Sequence, residues 1–193
     1  MINSIPSVVN KMKEKEKIIN AVKFWLEHTI IKFNFCPFAK KEFIKESIAY
    51  YVVDSSNREQ QLTALAEQLN SLDDHPEIQT TLIIFPVGVE SFFDYIDFLE
   101  IANQLNHELG YEGIYQLASF HPDYCFEDVK QDDPSNFTNR SPFPIIHILR
   151  ESSIERALKH YDNPEEIPER NIEHARKLGS GVFLDILACS RER

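Results

Sequence analysis

The residues best suited to chemistry in this chain fall in four places. Phe120-His121-Pro122-Asp123-Tyr124-Cys125 follows a strand-like segment directly. In an extended chain, His121, Asp123 and Cys125 share one face. All three residue types ligate metals, and His121 oriented by Asp123 is also an acid/base pair. The rival reading is a loop whose histidine caps backbone groups. The second place is Asp132-Asp133-Pro134-Ser135-Asn136-Phe137-Thr138-Asn139-Arg140-Ser141-Pro142. Turn chemistry accounts for Asp132, Asp133 and Asn136. It does not account for Arg140, whose planar guanidinium beside Asn139 and Ser141 suits bidentate grip of a carboxylate or phosphate. Internal pairing with Asp132 or Asp133 is the alternative.

The third place is Pro144–Arg150 (PIIHILR), with His147 on one face and Arg150 at the end. Histidine among apolar neighbours reads first as a hydrogen-bonded core residue. Arg150 ends a strand, as the residue before His121 does. If those strands are parallel, both lie at the carboxyl ends where open α/β sheets bind ligands. The fourth is Cys36, in Asn34-Phe35-Cys36-Pro37-Phe38-Ala39. A helix restarting after Pro37, with Lys40 and Lys41 near, predicts a lowered thiol pKa and a nucleophile. A buried, inert cysteine packed with Phe35 and Phe38 is the other possibility. No second cysteine stands at position 39 and a helix precedes the motif, which argues against thioredoxin-like redox chemistry. The chain has no P-loop, GxGxxG, HExxH, GxSxG or CxxC, so no cofactor with a recognisable motif is implied.

These residues need elements to hold them. Periodicity predicts a helix from Lys15 to Phe33 and a restart at Cys36–Phe43. Ser47–Val53, Thr80–Pro86, Gly113–Phe120 and Pro144–Arg150 read as strands. A capping box at Ser56 and Glu59 opens a helix through Leu72, and Ser91 caps another through Leu109. Ser152 and Glu155 predict a further capping box, opening Ser153–Tyr161, and a last helix runs from Pro168 to Leu178, ended by Gly179. His121–Phe143 has no period and reads as a long functional loop. The expected fold is α/β: a three- or four-stranded, mainly parallel (mixed) sheet flanked by helices. Because strand four follows a loop and not a helix, antiparallel pairing is open to it. One domain is expected over residues 1–193, with 1–14 a disordered N-terminal segment and 15–46 a helical segment packed on the core.

Composition narrows the function classes. The chain carries 20 basic and 31 acidic side chains, a net charge of −11, with 42% hydrophobic residues. That sign is opposite to what a phosphate-backbone binder needs, so no nucleic-acid partner is expected. The lysines concentrate before residue 50, in Lys11, Lys13, Lys15, Lys17 and Lys23 among others. Three widely spaced cysteines form no disulfide framework. The N-terminus lacks the apolar stretch of a signal peptide and no run matches a membrane span, so a cytoplasmic, membrane-free protein is expected.

Several segments together resemble the bacterial domain-of-unknown-function family numbered 1415. They are Asn34–Ala39, Thr81–Ile84, Ala118–Tyr124, Thr138–Pro142 and His147–Glu151, and the resemblance runs from about Val22 to Gly179. It implies that the Cys-Pro-Phe-Ala, Phe-His-Pro and Asn-Arg-Ser-Pro segments are the family's markers. Cys125 lies outside the pattern, which weakens the His121–Asp123–Cys125 metal triplet.

The leading expectation is a small-molecule enzyme for an anionic substrate. His121 and Asp123 serve as acid/base and Cys36 as nucleophile, with Asn139, Arg140, Ser141 and Arg150 holding the anion. The alternatives are a transition-metal site of Cys36, His121, Asp123 and His147, and a non-catalytic partner-binding or scaffold protein.

Overall fold

Thr80–Ile84 is buried along its whole length, and in the neighbouring Ile145–Arg150 segment Ile145, Ile146 and Ile148 are buried. Such apolar runs can sit only where both faces of a sheet are covered, and they form its two inner strands. In the computed structural model, which describes residues 5–159, 161 and 163–192, the chain begins with α1 (Ile5–Trp25), a π-helical turn (Leu26–Ile31) and α2 (Ala39–Ile44). Then come β1 (Ile48–Val52), α3 (Arg58–Asp74), β2 (Thr80–Ile84), α4 (Phe92–Glu108) and β3 (Tyr115–Phe120). A 3-10 turn (Pro134–Thr138) lies in the long loop before β4 (Ile145–Arg150). The chain ends with α5 (Glu151–Leu158), α6 (Ile167–Leu178) and α7 (Ser180–Arg191).

The sheet is mixed, in the order β1-β2-β4-β3. β1 and β2 pair parallel, with Ile48 opposite Thr80. β4 is antiparallel to both neighbours, placing Ile145 opposite Ile84 on one side and Phe120 on the other. The strand that follows a loop is thus the antiparallel one. This has a direct consequence: Phe120 and Arg150 lie at opposite ends of the sheet, because Arg150 is opposite Tyr115.

Strand alternation divides the core in two. Val52, Ile84, Ile145 and Phe120 face α1, the π-helical turn and α7. Ile83, Ile146 and Ile148 face α3 and α4, whose Leu65, Leu69 and Phe98 are fully buried. Each such aliphatic or aromatic side chain contributes about 1.5–3 kcal/mol on burial.

Several local features differ from expectation. α1 is already helical from Ile5, so residues 5–14, expected to be disordered, continue the helix; residues 1–4 lie outside the described residues. At Trp25 the helix widens into the π-helical turn, where the indole Nε1 donates to the Arg140 carbonyl at 2.8 Å. π-Helical turns recur at functional sites. The N-cap of α3 is Asn57, not Ser56: its side chain accepts from the Gln60 N–H at 3.0 Å. α5 starts directly at the end of β4, without the expected capping box. α7 is an additional helix: beyond Gly179 it buries Phe183 and Leu187 against α1.

The loop between β3 and β4 is built from polar contacts. Asn136 accepts from the Phe126 N–H at 3.0 Å and donates to the Lys130 carbonyl at 2.8 Å. Asp133 caps the 3-10 turn through the Ser135 N–H and pairs with Arg176 at 3.0 Å. The turn-chemistry reading of Asp133 and Asn136 therefore holds, and the carboxylate's cation is Arg176, not Arg140. No helix among the described residues is long and apolar enough to cross a membrane.

Candidate functional site

A cavity of about 290 Å³ opens beside the end of β3. Three separated segments reach it: Phe35 and Cys36 from the turn before α2, Phe120 at the end of β3, and Thr138 with Asn139 from the long loop. Ile30 enters from the π-helical turn, and α6 closes the remaining side with Ile167, Pro168, Asn171 and Ile172. Every side chain in this wall is uncharged. The polar ones are already occupied by the protein. Asn139 Nδ2 donates to the Ser119 carbonyl at 3.1 Å, and its Oδ1 accepts from Thr138 Oγ1 at 3.0 Å. Asn171 Nδ2 donates to the Phe35 carbonyl at 2.6 Å, which fixes α6 over the cavity.

Cys36 is the reactive group of this wall. Burial pushes its thiol above the ordinary value, while the Phe38 and Ala39 N–H groups oppose that shift. The expected lowering by a helix terminus is thus corrected: α2 is one short element, and desolvation outweighs it.

His121 lies elsewhere. It is fully buried, packed against Phe92 and Tyr95 on the α4 side, while Cys36 belongs to the α1 side. Its Nε2 donates to the Val89 carbonyl at 3.2 Å, and its Nδ1 accepts from the Asp123 N–H at 3.0 Å. Both ring nitrogens are engaged and burial lowers its pKa, so the ring is neutral. This is the backbone-capping role. Asp123 serves through its amide; its carboxylate is exposed and does not hydrogen-bond the ring.

The two arginines are also taken up by backbone. Arg140 Nε donates to the Tyr124 carbonyl at 3.0 Å and its terminal nitrogen to the Gln131 carbonyl at 2.7 Å, with the guanidinium over Phe137. Arg150, at the far end of the sheet, donates to the Ile78 carbonyl at 3.0 Å, to the Leu72 carbonyl and to Tyr115 Oη. The expected anion clamp is therefore not assembled: antiparallel β4 turns Arg150 away from the end that carries His121. Ser141 donates to the Phe143 carbonyl at 2.5 Å.

His147 contacts Thr80 Oγ1 at 2.5 Å, and burial pushes its pKa down to about 4. The alternative metal set is not brought together; among the described residues no three His, Cys, Asp or Glu side chains could hold a metal ion.

Sequence reasoning located Cys36 and Asn139 but missed the contribution of α6. Ile167, Pro168 and Ile172 are ordinary residues of a surface-helix pattern, and nothing in their types announces a cavity wall.

The fold and the cavity define a class: a mixed α/β-sheet protein with an apolar pocket at one end of the sheet, walled by loop and helix. The chain belongs to the family described as protein of unknown function (DUF1415), whose model matches residues 17–184. No curated protein and no solved structure matches it.

Proposed function

We propose that this protein binds a small, uncharged, largely apolar molecule in the cavity walled by Phe35, Cys36, Phe120, Asn139 and Ile172. One observation carries the reading: three segments far apart in sequence converge on a single uncharged pocket. Apolar cavities of about 150 Å³ suffice for benzene, so 290 Å³ accommodates a molecule of one or two rings. Aromatic walls with few polar groups are the usual lining of such sites.

Cys36 is the group of this wall able to donate a weak hydrogen bond to the ligand or to react with it. A thiol kept protonated, with no base in the wall, supports binding over nucleophilic catalysis. The anionic-substrate reading loses its support because Arg140 and Arg150 both serve backbone carbonyls.

Ile172→Phe fills the pocket without adding charge. Thermal unfolding in the presence of neutral one- and two-ring compounds tests the proposal, since a ligand that binds only the folded state raises Tm. The expected result is a rise of a few degrees for the native chain and none for Ile172→Phe. A panel in which only carboxylates or phosphates raise Tm, or in which Ile172→Phe responds equally, overturns it.

A further inference from the structure

The two edges of the sheet are treated differently. Backbone groups alternate sides along a strand. On β3, the outward carbonyls of Tyr115 and Ser119 accept from Asn106 Nδ2 and Asn139 Nδ2, both at 3.1 Å. The Tyr115 N–H donates to the Tyr111 carbonyl at 2.9 Å. That edge is largely capped. On β1, the Val53 N–H donates to the Ile84 carbonyl at 2.9 Å, so Ala49 and Tyr51, of the same parity, face β2. Ile48, Tyr50 and Val52 then turn their N–H and C=O groups outward, where they meet no hydrogen-bonding partner among the described residues. An unpaired edge is a template for another strand.

At the carboxyl end of this edge, around Tyr51–Ser55, lies a groove of about 550 Å³ with walls of opposite charge. α1 supplies Lys15 and Lys11, the latter paired with Asp54 at 3.7 Å, and Lys23 lies over the Tyr50 ring on the same side. α3 supplies Glu59 and Glu67. The even-numbered β1 side chains pack toward α1, whereas Val53 packs toward α3. A strand added to β1 would therefore present successive side chains alternately to the lysine wall and to the glutamate wall.

We infer that the β1 edge docks an extended peptide segment of another protein, in which acidic and basic side chains alternate. Main-chain hydrogen bonds to Ile48, Tyr50 and Val52 supply adhesion, and the two walls select the charge pattern. A second copy of this chain fits poorly. Antiparallel β1–β1 pairing about a two-fold perpendicular to the sheet keeps both α1 helices on one face, lysines toward lysines. The strand itself, IAYYV, also brings no charge to either wall.

The test is fluorescence anisotropy with a labelled peptide of alternating glutamate and lysine, against its block isomer with all glutamates before all lysines. The expected result is binding at least about tenfold tighter for the alternating peptide, because the block isomer sets like charges against each wall. Tyr50→Pro removes an outward donor without touching the β2 ladder, and is expected to abolish binding. The alternating peptide N-methylated at every second residue gives the same readout with the protein unaltered. No binding of the alternating peptide, equal binding of the isomers, or undiminished binding of the N-methylated peptide overturns the inference.

Discussion

Cys36 shows how competing local influences on one side chain are settled by their size. The N–H groups of Phe38 and Ala39 favour its thiolate, but burial in an uncharged wall disfavours it more. Because the thiolate is the reactive form, alkylation by iodoacetamide is expected to be slower at Cys36 than at exposed Cys189. Its rate should climb with pH and level off only above the ordinary thiol value of 9.0. Mass spectrometry of timed samples reads this directly, and a Cys36 that reacts first at pH 7 contradicts it. His121 and His147 give a second outcome at the same scale. Burial lowers both pKa values, His147 to about 4, from an ordinary 6.5. Between those values the unfolded chain takes up more protons than the folded one, so stability is full above pH 6.5 and falls as pH drops through that window. For His147 the loss is on the order of 2–3 kcal/mol by pH 4. Urea unfolding from pH 7 to 4 checks it, with His147→Gln expected to show a shallower decline.

At the scale of elements, strongly patterned segments could be read in advance. β2 and β4 announced themselves as apolar runs, and the leucines of α3 fell at helical spacing. What failed depended on partners distant in sequence. The direction of β4 decides whether Arg150 lies near His121, and no local residue type encodes it. α7 was missed because Gly179 read as an ending, although Phe183 and Leu187 carry a buried stripe. The same limit hid the cavity role of α6, a helix expected from Pro168 to Leu178 whose wall residues look like those of any amphipathic helix. Cys36 and Asn139 were found because they are polar or reactive residues in segments where nothing structural demanded them. α7 also offers a stability test. Phe183 is fully buried and stacks on Phe137 at 5.2 Å between ring centroids. Phe183→Ala should cost about 3–5 kcal/mol. A change under 1 kcal/mol in urea unfolding would show that α7 is not part of the core.

On the scale of the whole molecule, the sheet acts as a divider. The cavity and Cys36 lie on the α1 side, His121 lies on the α4 side, and Arg150 is at the opposite end. This separation keeps Cys36, His121 and Arg150 from forming one site, and the uncharged pocket stands on the α1 side of the sheet. The net charge of −11 belongs to the solvated surface and says nothing about that pocket. Trp25, the single tryptophan, is buried with its ring edge-on to Phe120 at 5.2 Å, and Phe120 lines the cavity. Its emission is therefore a built-in reporter of occupancy. The most direct measurement is a titration of Trp25 emission with a neutral, non-fluorescent two-ring compound and with its carboxylated analogue. A saturable one-to-one change for the neutral compound alone, lost in Ile172→Phe, is the expected result. No saturable change with any neutral compound, or a response confined to the carboxylate, would contradict the account.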